Sequence, residues 1–378
     1  MYCQRWFFAL VLASGFVSAS ANARQFDRPH YYGIGAHRGG YGVVATHLTR
    51  SGNLDLVVSD FFGGGGVSIL LGNGDGTFQK PIILKVSSPD GIAAGDFNED
   101  GNQDLAVVEY GGNGDGAVAI FLGDGTGHFK PAGTYTMGVG TVMVAVSDFN
   151  KDGHLDLAVS NAGNDNGVEQ SVMTLFGDGH GGFSKLKTYL VKAGAYPYGI
   201  AAGDLNGDGY PDVAVTTGLG DSVAVFLNDG TGKFGKPAYY GVRGHPIQVS
   251  MADLRNNGSL DLVAADPDAG MDVWLNNGDG TFGEAAVYIE RGSPYSCTVA
   301  DFNGDNKPDV ACSSHPGYAY WFRGNGDGTF KPAVEIRDGN PNYGSYSLTS
   351  GDFNGDGAPD LAIQIAASHK VTVMLNAK

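Results

Sequence analysis

Asp352, Asn354, Asp356 and Asp360 stand at the first, third, fifth and ninth places of a loop within the phrase GDFNGDGAPDL. Oxygen-bearing side chains at that spacing suit calcium, which takes six to eight oxygens at roughly 2.3–2.6 Å and tolerates irregular angles. A main-chain carbonyl near the seventh place would add to the set, and Gly357 lets the chain turn sharply after the third ligand. The same spacing recurs at Asp96, Asn98, Asp100 and Asp104, and at Asp148, Asn150, Asp152 and Asp156. Two further copies are Asp204, Asn206, Asp208, Asp212 and Asp301, Asn303, Asp305, Asp309. Two copies are degraded: His47, Thr49, Ser51, Asp55 has lost three ligands, and Asp253, Arg255, Asn257, Asp261 carries a guanidinium where an oxygen belongs. No metal is expected in the first of these, and at best weak binding in the second.

The elements that position these loops follow from their period. First places fall at 47, 96, 148, 204, 253, 301 and 352, close to the roughly 40–50-residue period of propeller blades. Within a repeat, a Gly/Ala-rich strand (Gly91–Asp96) leads into the loop and an apolar strand (Asp104–Val108) leaves it. A variable loop follows, then Val118–Leu122, a glycine turn, and an aromatic-led strand from Phe129 to Tyr135. The turns read LLGNGDGTFQKP at Leu70–Pro81 and FRGNGDGTFKPA at Phe322–Ala333, a hairpin signal whose Asp and Gly serve tight turns. Helical periodicity is nearly absent. The expectation is an all-β, seven-bladed β-propeller with four antiparallel strands per blade. The seventh repeat stops after VTVMLNAK, while QFDRPHYYGIG at Gln25–Gly35 resembles the fourth-strand segment KFGKPAYYGVR. The N-terminal strand therefore completes the last blade, three strands plus one, and closes the ring without a free sheet edge.

Composition bounds the rest. The 378 residues include 62 Gly, and 23 basic against 40 acidic side chains give a net charge of −17. Such a chain repels nucleic acid and anionic membrane surfaces. Met1–Ala23 reads as a secretory signal peptide: Arg5, an apolar stretch Trp6–Val17 too short to span a bilayer, and Ala21-Asn22-Ala23 before the cut. The mature chain, 24–378, is expected as one secreted propeller domain, periplasmic or extracellular, monomeric and without membrane insertion. Its two cysteines, Cys297 and Cys312, flank one loop in strands that a hairpin would set nearly opposite each other. A disulfide fits an oxidising compartment, and two small buried thiols fit equally.

The D-x-N-x-D-G-x-x-D loops with their downstream GDGTF phrases resemble FG-GAP/VCBS-type repeats, related to the propellers of integrin α-subunits, over essentially the whole mature chain. The resemblance implies calcium in about five loops joining the first and second strands, on one face of the ring. The opposite face is then built from the variable loops and the entries to the innermost strands, and binding usually lives in such loops. Tyr110, Tyr198, Arg243, His245, Tyr295, His315 and Tyr346 are its candidate ligand-binding residues, drawn from a wider loop set that also holds Tyr41 and Asp266, and they offer apolar plates with polar edges to a sugar or a peptide. The leading reading is a secreted, calcium-stabilised binding protein for a glycan or protein partner. One alternative is a polysaccharide lyase or hydrolase using Arg243 with His245, or His315 with Asp266. Another is a structural surface or matrix protein.

Overall fold

The computed structural model describes residues 25–377 except 36–40, 62–65, 112–115, 164–169, 290–291, 338–343 and 366–367. The leader expected over 1–23 lies outside the described residues. Seven separate four-stranded antiparallel sheets make up the chain. The second blade is representative, with Pro89–Gly95 innermost, then Asp104–Glu109, Gly116–Gly123 and Phe129–Gly138. The innermost strands of successive blades abut all the way round, and Val43–Thr46 of the first blade meets Ser345–Gly351 of the seventh. Among the described residues no α-helix occurs, only a short 3₁₀ turn at Gly218–Gly220.

Closure is as the sequence implies. In the seventh blade Ser345–Gly351, Asp360–Ile365 and Lys370–Met374 take His30–Gly33 as the fourth strand. The register pairs His30 with Val373 and Tyr32 with Val371, and Phe26 bridges Asn376. One detail differs from expectation. In the first, fourth, fifth and sixth blades the turn phenylalanines, Phe78, Phe234, Phe282 and Phe330, make a single bridge and the outer strand resumes only later. Pro81, Pro237 and Pro332 follow three of these rings, but Pro131 sits inside the unbroken outer strand of the second blade and Phe282 has no proline after it, so proline alone does not set the gap.

The apolar core lies between blades. Seven clusters each join two neighbouring sheets, as where Phe97, Val108 and Ile120 of the second blade meet Leu157, Val159 and Phe183 of the third. A single blade has no such core, so the ring folds as a unit. Cys297 and Cys312 face each other across the first two strands of the sixth blade and are disulfide-bonded.

Near the axis the innermost strands approach so closely that side chains must be absent at chosen points. A Cβ at Gly91 would stand 2.7 Å from Met143 Cα, and one at Gly199 would stand 2.5 Å from Gln248 Cα. Gly199→Ala is therefore expected to cost about 1–3 kcal/mol by overpacking against backbone. Gly33→Ala, where an added Cβ meets nothing within 4 Å, should change stability by less than about 0.5 kcal/mol. Urea denaturation of both variants measures the contrast, and equal effects would remove close packing at the axis as the reason for Gly199.

Candidate functional site

The loops between first and second strands are organised by their ninth residue. Asp55, Asp104, Asp156, Asp212, Asp261, Asp309 and Asp360 are all fully buried. In the second blade Asp104 Oδ2 accepts the Phe97 N–H and Oδ1 accepts the Gly123 N–H, each at 2.8 Å. The same bracket recurs at Asp156, Asp212 and Asp360. It also holds in the degraded first loop, where Asp55 accepts from Leu48 and Gly72. One carboxylate thus ties each loop to the far end of the third strand. Burial pushes the carboxyls of Asp156, Asp212 and Asp360 up to about 6, against the pull of these N–H groups.

The first, third and fifth places gather into the loop itself. Asp96 accepts the N–H groups of Asp100 and Gly101, and Asn98 Nδ2 donates to Asp100 Oδ2 at 3.1 Å. The third, fourth and seventh blades repeat this contact at Asn150–Asp152, Asn206–Asp208 and Asn354–Asp356. In the sixth, Asn303 turns to Asp309 instead, while Asp301 accepts from Asp305 and Asn306. The donor set is all oxygen and strongly acidic, which fits a hard divalent cation. Among the described residues, however, no three or more Asp, Glu, His or Cys are drawn together as a metal cluster. The fifth loop carries a cation of its own: Arg255 donates to Asp261 at 2.7 and 3.2 Å and to the Asn276 carbonyl at 2.7 Å.

At the other end of the innermost strands lies a cavity of about 630 Å³ on the axis. Every blade contributes the residue six places before its loop: Tyr41, Asp90, Val142, Tyr198, Ile247, Tyr295 and Tyr346 all line it. Bulges in the innermost strands, as between Pro89 and Ile92 or Pro197 and Ile200, re-aim the chain here. Second-strand hydroxyls meet main-chain groups here: Thr216 Oγ1 accepts the Gly199 N–H beside a bulge, and Ser59 Oγ accepts the Gly42 N–H in the unbulged first blade, both at 2.9 Å. Tyr346 stacks on Tyr41 at 5.2 Å and leans on Tyr295 at 4.8 Å between centroids. Phe61 and Tyr110 add an edge-to-face pair from the variable loops. Burial raises the phenol pKa values of Tyr41, Tyr198 and Tyr295, with neighbouring phenols adding to the effect.

Tyr110, Tyr198, Tyr295 and Tyr346 therefore share one mouth, together with Tyr41. The other candidates stand elsewhere. Arg243 lines a separate hollow with Tyr239, Asp272 and Glu284. His245 pairs through its ring with Asp268 and lies 3.8 Å from Asp221. Asp266 accepts the His245 main-chain N–H, so its partner is that segment and not His315. His315 ends a second strand and packs beside Gly344. Sequence reasoning passed over Asp90, Val142 and Ile247. Counting back six residues from each loop would have found them, since the loop fixes the register.

The model of the FG-GAP-like repeat matches residues 47–107, 96–159, 148–215, 205–264, 253–312 and 301–363. No curated protein matches the chain. Among solved structures, BBS1N in complex with ARL6DN is similar in two crystals. The mercury-soaked one has a TM-score of 0.62 at 13% identity over 94% of this chain and 97% of that one. The lead-soaked one has a TM-score of 0.64 at 14% identity over 94% and 98%. At such identity the likeness is one of fold.

The clamp by the ninth aspartate has a direct test. Asp55→Ala and Asp104→Ala each strand two buried N–H groups, so each should cost about 2–4 kcal/mol. The two losses should be alike in excess chelator, because the Asp55 loop keeps the clamp without the other ligands. Urea midpoints decide it; a neutral Asp55→Ala would show that the bracket carries no stability.

Proposed function

The chain belongs to the FG-GAP-like repeat family, and from that premise we propose that it is a secreted, calcium-stabilised binding protein. It recognises a glycan or protein partner through the face opposite the acidic loops. The observation that carries this reading is the axial mouth, where all seven blades present one residue each and four of the seven are tyrosines. Tyrosine supplies a large amphipathic contact at low entropic cost, which suits recognition. A protein partner is in keeping with the similar BBS1N propeller, which is in complex with ARL6DN. Secretion rests on the Met1–Ala23 pattern, and the protein acts as a monomer.

Calcium would be held by Asp96, Asn98, Asp100 and Asp104 and by the matching residues of the third, fourth, sixth and seventh blades. Its part is electrostatic: it would screen three carboxylates per loop that otherwise repel, and stabilise the ring by linkage. The fifth loop meets the same repulsion with Arg255.

Two measurements follow. Thermal melts should show a midpoint higher in millimolar calcium than in EDTA, by several degrees, with magnesium less effective; coincident melts would remove calcium from the account. A glycan array and pull-down with the mature protein should give binding that Tyr198→Ala/Tyr295→Ala abolishes without lowering the melting temperature. Binding retained in full by that variant would place recognition on another surface.

A further inference from the structure

We infer that the axial mouth receives a primary ammonium group on an apolar stem, the chemistry of a lysine side chain presented by a partner protein. This rests on the mouth being the binding surface, and it names what the surface reads. Asp90 is the one acidic member of the seven-residue ring; the other six are Tyr, Val or Ile. It is only 4% exposed, and its Oδ1 has no hydrogen-bond partner among the described residues. The contrast with the ninth-place aspartates is sharp. Asp104, just as buried, has both oxygens taken by main-chain N–H groups.

A buried carboxylate without a donor is unfavourable until a cation or an N–H group reaches it. Among the described residues the lining contains no Lys, Arg or His, and the Gln248 amide N–H groups are given to Val249 O and Ser250 Oγ. What surrounds Asp90 is aromatic, and ring faces attract cations that have left water. The wall also includes Val142, Met143, Ile200 and Ile247, a lining for methylenes rather than for the many hydroxyls of a sugar. An ammonium group donates to Oδ1 directly, so a primary amine is favoured over a quaternary one.

The same arrangement sets a pH dependence. Burial pushes the Asp90 carboxyl up to about 7. The titratable groups that face it are Tyr41 from the first blade and Tyr198 from the fourth, both with phenol pKa values raised further by burial. Tyr110, Tyr295 and Tyr346 complete the wall, and Asp268 acts on Tyr295 from the rim, where it pairs with His245. Phenols ionise only above about pH 10. Among the described residues lining the cavity, then, Asp90 is the group that changes charge between about pH 5 and 9. Cation binding needs it ionised, so affinity should rise as pH climbs through about 7.

The test is calorimetric titration of the mature protein with N-acetyl-lysine methylamide, its neutral analogue N-acetyl-norleucine methylamide, and a glucosamine oligomer. The lysine probe should bind at least about tenfold more tightly than the norleucine probe near pH 8. That preference should shrink several-fold near pH 6 and vanish in Asp90→Asn, with the melting temperature confirming that the variant is folded. Equal affinity for the two amino-acid probes overturns the inference, as does a preference that survives Asp90→Asn. A glucosamine oligomer that outbinds the lysine probe overturns it in favour of an amino sugar. If both amino-acid probes bind equally and lose affinity in Tyr198→Ala/Tyr295→Ala, only the charge reading fails and the mouth remains a binding site. If no probe and no glycan binds, both readings fail.

Discussion

In the second, third, fourth and seventh blades the second residue of the acidic loop holds the molecule together in two directions at once. Its N–H is bound by the buried aspartate of its own blade, as Phe97 is by Asp104 and Phe353 by Asp360. Its carbonyl accepts from the next blade around the ring. Gly76 N reaches Phe353 O and Gly181 N reaches Phe97 O, while the Asn228, Asn276 and Asn376 amides reach Phe149, Leu205 and Phe302. These peptide groups are buried, so losing either partner would strand a polar group away from water. The radial and circumferential contacts therefore stand or fall together.

Register is what this lock delivers to the opposite face. With the loop pinned, the innermost strand can run back toward the axis in only one alignment, since a slip by one residue would turn every side chain to the wrong side. The residue six places back then reaches the mouth in each blade, and beside it Gly91 and Gly199 let the innermost strand abut Met143 and Gln248 of the next blade. Stability is concentrated at one end of the strands and variety at the other. Repetition fixes the frame, and substitutions within a single seven-membered ring set what the frame presents.

Much of this was legible in the residues. The one-three-five-nine spacing and its recurrence led to seven blades, and the match between Gln25–Gly35 and a fourth-strand segment led to the closing pair His30–Gly33 with Lys370–Met374. The tyrosines of the mouth were visible as a class because aromatic residues recur at the entries to the innermost strands. Asp90 was not, because one more aspartate among 40 acidic residues has nothing in its type to show that it is buried and unpaired. Nor could spacing separate Arg243, His245 and His315 from the mouth. They lie in the same variable segments, and only the bulges and the direction of each strand entry decide which side chains reach the axis. The ninth aspartate was read as a ligand alone, whereas its retention in the degraded first loop marks it as a clamp as well.

Among the described residues, a buried carboxylate oxygen without a donor faces an aromatic mouth on the axis of the ring. Carbon-detected NMR titration of the Asp90 carboxyl in the ligand-free protein, assigned by its disappearance in Asp90→Asn, tests this most directly. A midpoint near 7 is expected, because burial pushes the carboxyl up. A midpoint near the ordinary aspartate value of about 4 would mean that the carboxylate is solvated or already paired, and would contradict that arrangement.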